Sequence, residues 1–343
     1  MLYTRLGNTG LIVSRLAFGS MTFGTGEKVN KAISKLDQTG ANDLVAQSLD
    51  AGVNFFNTAD AYSGGQSEEI LGKALSSRRQ DVVIATKVGF RTGDALVNTG
   101  LSRQHIFNAV EGSLRRLGTD YIDVYLVHRF DPYTPLEETL SALDDIVRQG
   151  KVRYIGYSNW PAWYSAKAIG LQREYGWARF VAAEVYYSLL GRDLEHEVVP
   201  FAEDAGVGIM VWSPLAGGFL TGKYTREDPT GDNGRLSGFN VIPFDQELGF
   251  KVVDRLKDIA SGHQVAPAQV ALAWLLSRSH VASILVGASK STQLAANLDA
   301  ANLALKAEEL QSLDELTAPA LIYPNWFKKN IFDSAARIAL GED

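Results

Sequence analysis

The chain contains no cysteine among its 343 residues. This absence excludes disulfides, thiolate catalysis and the Cys-type zinc and iron–sulfur sites together, and it leaves the redox compartment open. Apolar residues make up 46% of the chain and charged residues 21%, both close to the averages of globular proteins. Burial of apolar surface can therefore offset the conformational entropy lost on folding without disulfides or bound metal ions. A largely disordered chain is excluded.

The sequence also lacks long hydrophobic runs and an excess of basic charge. Its longest apolar run, residues 270–276, is far shorter than the roughly 18 residues that cross a bilayer, and the start MLYTRLGNTG has neither a secretory core nor a transit pattern. Lys and Arg total 33 against 39 Asp and Glu, a net charge of −6, which argues against a partner with a phosphate backbone. We therefore expect a soluble, cytoplasmic protein that binds neither membrane nor nucleic acid.

Strand and helix patterns alternate along the chain. Two short extended runs flank residues 7–10 and predict a hairpin, and several later strands are near-continuous apolar runs, typical of a parallel sheet covered by helices. The eight candidate strands after the hairpin are 16–19, 53–57, 82–86, 122–127, 154–157, 180–185, 208–212 and 283–286. The candidate helices are 42–50, 67–76, 102–117, 135–149, 161–175, 194–205, 244–260 with 267–277, and 292–300.

This alternation predicts an α/β chain in which residues 1–343 form a single (β/α)8 TIM barrel with an N-terminal β-hairpin. A doubly wound open sheet is the alternative architecture. The long irregular stretch 216–243 is rich in Gly and Asp, and we expect it to cover a cofactor. The tail, 318–343, could fold back over the barrel mouth or pack against another subunit, which leaves a homo-oligomer open.

Polar side chains interrupt the predicted strands at their carboxyl ends, where the chemistry of such barrels takes place. Tyr62 follows the second strand, Lys87 the third and His128 the fourth, while Asn159 and Glu184 end the next two. A phenol with a pKa near about 10 is a poor acid at neutral pH unless a cation stabilises its phenolate, and Lys87 could supply that charge. The pattern predicts a proton-donating site.

Seven stretches of the chain resemble the aldo-keto reductases in family order, and they span residues 1 to about 305. The resemblance implies a (β/α)8 barrel that binds NADPH in an extended pose and reduces aldehydes or ketones, small-molecule carbonyl substrates, by hydride transfer. The stretches are GVNFFNTADAYSGGQSEEILGKAL, VVIATKVG, LRRLGTDYIDVYLVH, GKVRYIGYSNW, VYYSLLGRDLE, VWSPLAGGFLTGKY and LVGASKSTQLAANL.

The resemblance implies catalytic roles for four positions, and the chain departs from the family at one of them. Tyr62 takes the place of the general acid, Lys87 that of the cation beside it, and His128 that of the imidazole that orients the carbonyl. The family's fourth member, an Asp, falls at Asn57. Since an amide accepts a hydrogen bond from Lys87 but adds no countercharge, we expect Lys87 to lose its proton more readily and the pH profile of turnover to shift.

A second departure falls at Glu184, where the family usually places a Gln against the nicotinamide carboxamide. An ionised carboxylate there would accept from the amide and favour the positively charged, oxidised nicotinamide. Whether Glu184 replaces the carboxylate missing at Asn57 stays open from the sequence.

The resemblance also implies the cofactor contacts. Trp212 would stack on the nicotinamide, and the helix N-terminus after Gly287 suits an anion. Ser289 and Lys290 are partners for a 2′-phosphate and favour NADPH, while NAD stays open. The other candidate cofactor residues are Gly19, Ser20, Met21, Asn57, Ser158, Asn159, Ser213, Pro214, Leu215, Gly217, Gly218, Lys223, Gln293 and Asn297.

Other functional interpretations have less support in the sequence. Residues 217–223, GGFLTGK, fit the spacing of a nucleotide P-loop, but Tyr224 stands where a magnesium-binding Ser or Thr is required, and no GxGxxG follows a strand. Histidines 105, 196, 263 and 280 lack metal-ligand spacing; we expect them at the surface and expect no metal. The alternative function is a cofactor-binding regulatory barrel with little or no turnover, which Asn57 favours.

Loops at the mouth and the C-terminal tail would form the substrate pocket. Their aromatic side chains suit a bulky, partly apolar ketone better than a small polar aldehyde. The candidate pocket residues are Phe23, Arg129, Phe130, Tyr133, Trp160 and Trp326.

Overall fold

The structure is a computed structural model that describes residues 1–25, 32–231, 235–238, 241–328, 331 and 333–341. An antiparallel hairpin opens the chain, and eight parallel strands close into a ring in which the last pairs with the first, which confirms the (β/α)8 barrel. The hairpin strands are β1 (Tyr3–Arg5) and β2 (Ile12–Ser14). The barrel strands are β3 (Leu16–Gly19), β4 (Phe55–Asn57), β5 (Val83–Val88), β6 (Ile122–Val127), β7 (Val152–Ser158), β8 (Phe180–Tyr186), β9 (Gly208–Trp212) and β10 (Val281–Val286).

Helices surround the barrel and begin where the sequence offers caps. Ser102 and Asp245 accept from the amides of His105 and Leu248 at the starts of their helices, and a Pro opens another. The helices are α1 (Gln38–Asp50), α2 (Gln66–Leu75), α3 (Arg103–Leu117), α4 (Leu136–Arg148), α5 (Ala162–Glu174), α6 (Val198–Ala205), α7 (Arg235–Gly238), α8 (Gln246–His263), α9 (Pro267–Leu276), α10 (Ser291–Asp299), α11 (Ala307–Leu316), α12 (Asn325–Lys328) and α13 (Ser334–Leu340).

Some helix boundaries differ from the prediction. Helix α1 begins before residue 42 because Asp37 caps it, its carboxylate accepting from the Gly40 amide at 2.9 Å. The predicted helix 194–205 is interrupted at Glu197, whose φ of −137° is not helical, so a short turn precedes α6. Helices α7, α11, α12 and α13 were not predicted.

The hairpin closes the amino-terminal end of the barrel. Leu6 and Val13 are fully buried and pack on the side chains that fill the barrel interior. The backbone of Gly7 is left-handed (φ +58°), and a side chain there would collide with the carbonyl oxygen of Val181, at the start of β8. Since this end is plugged, the opposite rim is the one left to form a site.

The two segments expected near the mouth are partly structured. The stretch 216–243 contains a 3-10 turn (Ala216–Thr221) and α7, while its residues 232–234 and 239–240 lie outside the described residues. In the tail, the Asn325 amide lies 3.2 Å from Nδ1 of His196, between β8 and α6; residues 329–330, 332 and 342–343 lie outside the described part. Within the described ranges, no helix has both the length and the apolarity to span a membrane.

Candidate active site

The carboxyl ends of the barrel strands bring the predicted site residues to one rim. Strands of a parallel barrel all end at the same face, so residues distant in sequence become neighbours. On this rim lie Gly19 (β3), Asn57 (β4), Lys87 (β5), His128 (after β6), Ser158 (β7), Glu184 (β8), Trp212 (β9) and Gly287 (after β10).

Tyr62 begins a tight turn in the segment after β4. The turn (Tyr62–Gly65) contains Ser63 at φ +50° and Gly64 at φ +64°, both left-handed. The Ser63 hydroxyl donates to the carbonyl oxygen of Phe23 at 2.8 Å, which ties the turn to the segment after β3. The strained turn therefore fixes the phenol over the barrel mouth.

The ammonium of Lys87 is fully buried and lies beside the Tyr62 hydroxyl. Its Nζ atom lies 3.1 Å from Oη of Tyr62 and 2.9 Å from the carbonyl oxygen of Thr58. It also donates to Oδ1 of Asn57 at 2.7 Å, as the sequence predicted for this amide. A buried ammonium group stays charged only where oxygen atoms such as these accept its hydrogen bonds in place of water.

Glu184 supplies the countercharge that Asn57 lacks. Its Oε1 lies 3.2 Å from Nζ of Lys87, and its Oε2 accepts from Nδ2 of Asn57 at 2.7 Å. Burial disfavours the charged form of Lys87, yet the pKa of Lys87 is raised above its usual value because the negative charge of Glu184 and the hydroxyl of Tyr62 outweigh that effect. The expectation that Lys87 loses its proton more readily is therefore wrong, since a carboxylate reaches it from β8.

His128 lies between two aromatic rings. Its imidazole meets the Tyr62 ring edge-on at 5.7 Å and the Phe90 ring at 4.6 Å, between centroids. Burial lowers the pKa of His128 well below its usual value, and the positive charges of Lys87 and Arg129 lower it further. The imidazole is therefore neutral at physiological pH. Sequence reasoning missed Phe90, although it follows the end of β5 closely.

A second group of polar side chains, which sequence reasoning missed, lies behind the rim. Asp60 is 2% exposed, and neither carboxyl oxygen makes a hydrogen bond of normal geometry within the described part of the chain. Burial, with the negative charge of Glu68 added to it, raises the pKa of Asp60 to about 8. Glu68 is itself fully buried and accepts from Arg116 at 2.6 Å and from Thr86 at 2.5 Å.

The segment after β9 has the donors and backbone shape that suit a diphosphate. Ser213, Ala216, Gly217 and Gly218 all have left-handed φ, between +48° and +94°, a conformation that turns successive amides to one side. A methyl group on Gly218 would lie 3.6 Å from the Lys223 ammonium, so this cation lies over the turn. These residues therefore fit the anionic part of a dinucleotide.

The segment after β10 follows the strand that pairs with β9, and its residues could also hold an anion. Ser289 and Lys290 precede α10, whose amino terminus favours negative charge. The amide of Ser289 now donates to Oε1 of Gln293 at 3.3 Å, while Lys290 is exposed. Asn297 lies buried on the same helix.

The remaining candidate cofactor residues differ in their burial and in the hydrogen bonds that they already make. The Trp212 indole donates to Oδ1 of Asn159 at 2.9 Å, and the Asn159 amide donates to Ser158 at 2.8 Å, so these three form one wall of the mouth. The Ser20 hydroxyl is buried and contacts Ser67 at 2.8 Å. Pro214 is buried, Leu215 is half-buried, and Met21 follows Ser20 on the segment after β3.

The candidate residues of the substrate pocket differ in burial and in the neighbours they contact. Phe23 and Trp160 are buried in the outer core, the latter stacked on Tyr157 at 5.5 Å, and Tyr133 is 93% exposed. Arg129 remains near the mouth, its guanidinium 4.9 Å from the centre of the Phe90 ring. Phe130 packs on Tyr164 at 4.7 Å, and Trp326 is half-exposed in the tail.

One expectation for the other histidines is also wrong. His105 is buried rather than at the surface because it lies on the inner face of α3, and burial lowers its pKa. No group of three His, Asp or Glu side chains within the described ranges is arranged to hold a metal ion.

Comparison with known proteins gives consistent matches. The model of the Aldo/keto reductase family matches residues 15–318. A versiconal hemiacetal acetate reductase of Aspergillus parasiticus is 35% identical over 346 residues, covering 94% of this chain and 99% of that protein. An aldo-keto reductase of Alternaria alternata is 36% identical, covering 91% and 90%. An Oryza sativa subsp. japonica protein named "Probable voltage-gated potassium channel subunit beta" is 37% identical, covering 88% and 91%.

Proposed function

The chain belongs to the aldo-keto reductase family, a family of carbonyl and alcohol oxidoreductases, and from this premise we propose that it reduces an aldehyde or ketone to an alcohol with NADPH. The distance of 3.1 Å between Nζ of Lys87 and Oη of Tyr62 is the observation that carries the proposal. A cation at this distance stabilises the phenolate that remains once Tyr62 has given up its proton.

Each residue of the site then has a role in the reaction. Bound NADPH supplies the hydride to the carbonyl carbon. Tyr62 donates its hydroxyl proton to the carbonyl oxygen as negative charge develops there, and solvent returns a proton to the phenolate. Lys87 stabilises that phenolate, and the neutral His128 donates an N–H to the same oxygen and orients it. The overall reaction consumes one NADPH and one proton for each alcohol formed.

Residues on the rim from β7 to α10 would hold the cofactor. The wall formed by Ser158, Asn159 and Trp212 would hold the nicotinamide end, and the turn at Gly217 and Gly218 with Lys223 the diphosphate. Ser289 and Lys290 would contact the 2′-phosphate, a contact that NADH cannot make, which favours NADPH. We also propose that the stretch 216–243 covers the cofactor, since buried Leu236 already packs against Gly217.

The mouth favours a carbonyl compound with an apolar part. Phe90 and His128 present ring surfaces beside Tyr62, and Arg129 contributes the nearby positive charge. A substrate would place its carbonyl oxygen between Tyr62 and His128 and its apolar part against Phe90.

The test is NADPH oxidation, followed by absorbance, with a panel of aldehydes, ketones and quinones. We expect turnover with at least one carbonyl compound, and we expect Tyr62→Phe to lower kcat by about 100-fold or more while NADPH still binds. Turnover that is unaffected by Tyr62→Phe would contradict the role of Tyr62. The exposed Tyr175→Phe, the same change at the end of α5, serves as the control.

A regulatory barrel that binds the cofactor with little turnover is the second candidate. The similarity to a protein named as a potassium channel subunit supports it. Tight NADPH binding with no consumption on any member of the panel would favour this function over the first.

A further inference from the structure

Lys87, Asn57 and Glu184 form a closed triangle of buried contacts. Lys87 donates to Oδ1 of Asn57 at 2.7 Å, Asn57 donates to Oε2 of Glu184 at 2.7 Å, and Oε1 of Glu184 lies 3.2 Å from Nζ of Lys87. The three residues are 0%, 2% and 3% exposed. Asn57 lies on β4, the strand next to Lys87, whereas Glu184 reaches across the barrel from β8.

The chemistry of these groups fixes the direction of each contact. An ammonium only donates, an ionised carboxylate only accepts, and an amide has one end of each kind. The oxygen of Asn57 must therefore face Lys87 and its nitrogen must face Glu184. The triangle contains one positive and one negative charge, and each end of the amide makes one contact.

We propose that Glu184 is a positioning residue that keeps Lys87 charged and aimed at the Tyr62 hydroxyl, and that Asn57 and Glu184 act as a coupled amide–carboxylate pair whose two groups can be exchanged. This inference rests on the proposed function and adds to it the source of the countercharge. The charge comes from β8, three strands away from β5 around the barrel, instead of from the adjacent strand.

The exchange follows from the shapes of the side chains. Asn and Asp have the same shape, as do Glu and Gln, so Asn57→Asp combined with Glu184→Gln preserves the triangle with donor and acceptor reversed. Asn57→Asp alone places a second carboxylate oxygen where a nitrogen now lies 2.7 Å from Oε2. Glu184→Gln alone leaves the buried ammonium without any carboxylate.

Other groups around Lys87 do not supply this charge. The titratable and charged groups that act on Lys87 or on its neighbours are Tyr62 and Asp60 from the segment after β4, Glu68 from α2, Arg116 from α3, His128 and Arg129 after β6, and Glu184 from β8. His128 is neutral, and Asp60 makes no ion pair with Lys87. Glu184 is the only carboxylate within ion-pair distance of Lys87 in the described part of the chain.

The experiment compares four forms: the wild-type chain, Asn57→Asp, Glu184→Gln and the double variant. The main readout needs no turnover: the phenolate absorbance of the free protein is titrated with pH, and the curve of the matching Tyr62→Phe protein is subtracted to isolate residue 62. The second readout is the basic limb of the pH dependence of kcat/KM, and the third is the melting temperature.

We expect Glu184→Gln to move the basic limb to lower pH by about one unit or more, because the buried Lys87 loses its proton more readily once its carboxylate is gone. The phenolate curve moves to higher pH, because a neutral Lys87 no longer stabilises the phenolate. Asn57→Asp lowers the melting temperature, since two carboxylates then face each other. The double variant returns the phenolate curve, the basic limb of kcat/KM and the melting temperature toward the wild-type values. Glu203→Gln, the same loss of charge at an exposed position on α6, changes none of them.

An unchanged phenolate curve in Glu184→Gln, or a double variant that behaves like Glu184→Gln, would overturn the inference. If Glu184→Gln does not fold alone, a double variant with wild-type stability supports the pair, and one that also fails to fold counts against it. A wild-type chain without turnover would end the proposed function only, because the phenolate titration still reports on Glu184.

Discussion

The positive charge of Lys87 acts on His128, which lies at the end of the neighbouring barrel strand. Burial is the largest cause of the lowered pKa of His128, and the charges of Lys87 and Arg129 act in the same direction. Lys87 therefore carries the positive charge of the site, and His128 remains a neutral hydrogen-bond donor.

A neutral His128 predicts the shape of the pH profile. Near about pH 6.5, where an ordinary histidine titrates, kcat/KM should show no protonation step from this imidazole. We expect His128→Gln, which keeps an N–H donor on a different frame, to lower kcat/KM by about 10- to 100-fold without adding or removing a limb near this pH. A limb near pH 6.5 that disappears in His128→Gln would contradict a neutral imidazole.

The barrel and the rim could be predicted because they depend on local pattern. Apolar runs ended by polar residues marked β5 and β8, and the carboxyl ends of parallel strands must meet at one face, so Tyr62, Lys87 and His128 were expected together. The start of α1 was misplaced because the cap, Asp37, precedes the apolar pattern that marks the helix.

The contacts inside the site could not be predicted in this way. The distance between Glu184 and Lys87 depends on how side chains from β5 and β8 meet across the barrel interior, which sequence spacing does not contain. For the same reason, Asn57 suggested a missing charge, whereas the folded chain provides that charge from another strand. The burial of Asp60 likewise depends on packing that sequence spacing does not contain.

Removing Lys87 should destabilise the folded chain, because Glu184 would then be a buried carboxylate without a cation beside it. Lys87→Met leaves a buried carboxylate with only the Asn57 amide as partner, and we expect a loss of about 3 to 5 kcal/mol in the free energy of unfolding, measured with urea. Adding Glu184→Gln should recover a large part of that loss. The same Lys-to-Met change at exposed Lys251, 3.9 Å from Glu247, should cost less than about 1 kcal/mol. A double variant as unstable as Lys87→Met would show that Glu184 is not the residue left unpaired.

Asp60 predicts a fall of stability with rising pH. Its pKa is raised to about 8 in the folded chain from an ordinary value of 3.8, so the folded state holds a proton that the unfolded state has released between these values. The stabilisation relative to the unfolded state is complete below about pH 4 and is lost as the pH rises through about 8, by at most about 1.4 kcal/mol per pH unit. We expect the free energy of unfolding of Asp60→Asn to lack this pH dependence. The difference between the free energies of unfolding of the two proteins, measured with urea, should therefore change with pH. Parallel pH dependences would contradict a buried, protonated Asp60.

The choice between NADPH and NADH should depend on Lys290 and not on Lys223. Lys290 precedes α10, where the 2′-phosphate would lie, whereas Lys223 lies over the turn at Gly218, where both cofactors would place the diphosphate. Because a hydrogen bond to a charged group contributes about 1.5 to 3 kcal/mol, Lys290→Ala should raise the Kd for NADPH by about tenfold or more and leave the Kd for NADH almost unchanged. Lys223→Ala should weaken both cofactors by similar factors. Fluorescence titration of the two variants measures these constants, and an equal loss of both cofactors in Lys290→Ala would place the 2′-phosphate elsewhere.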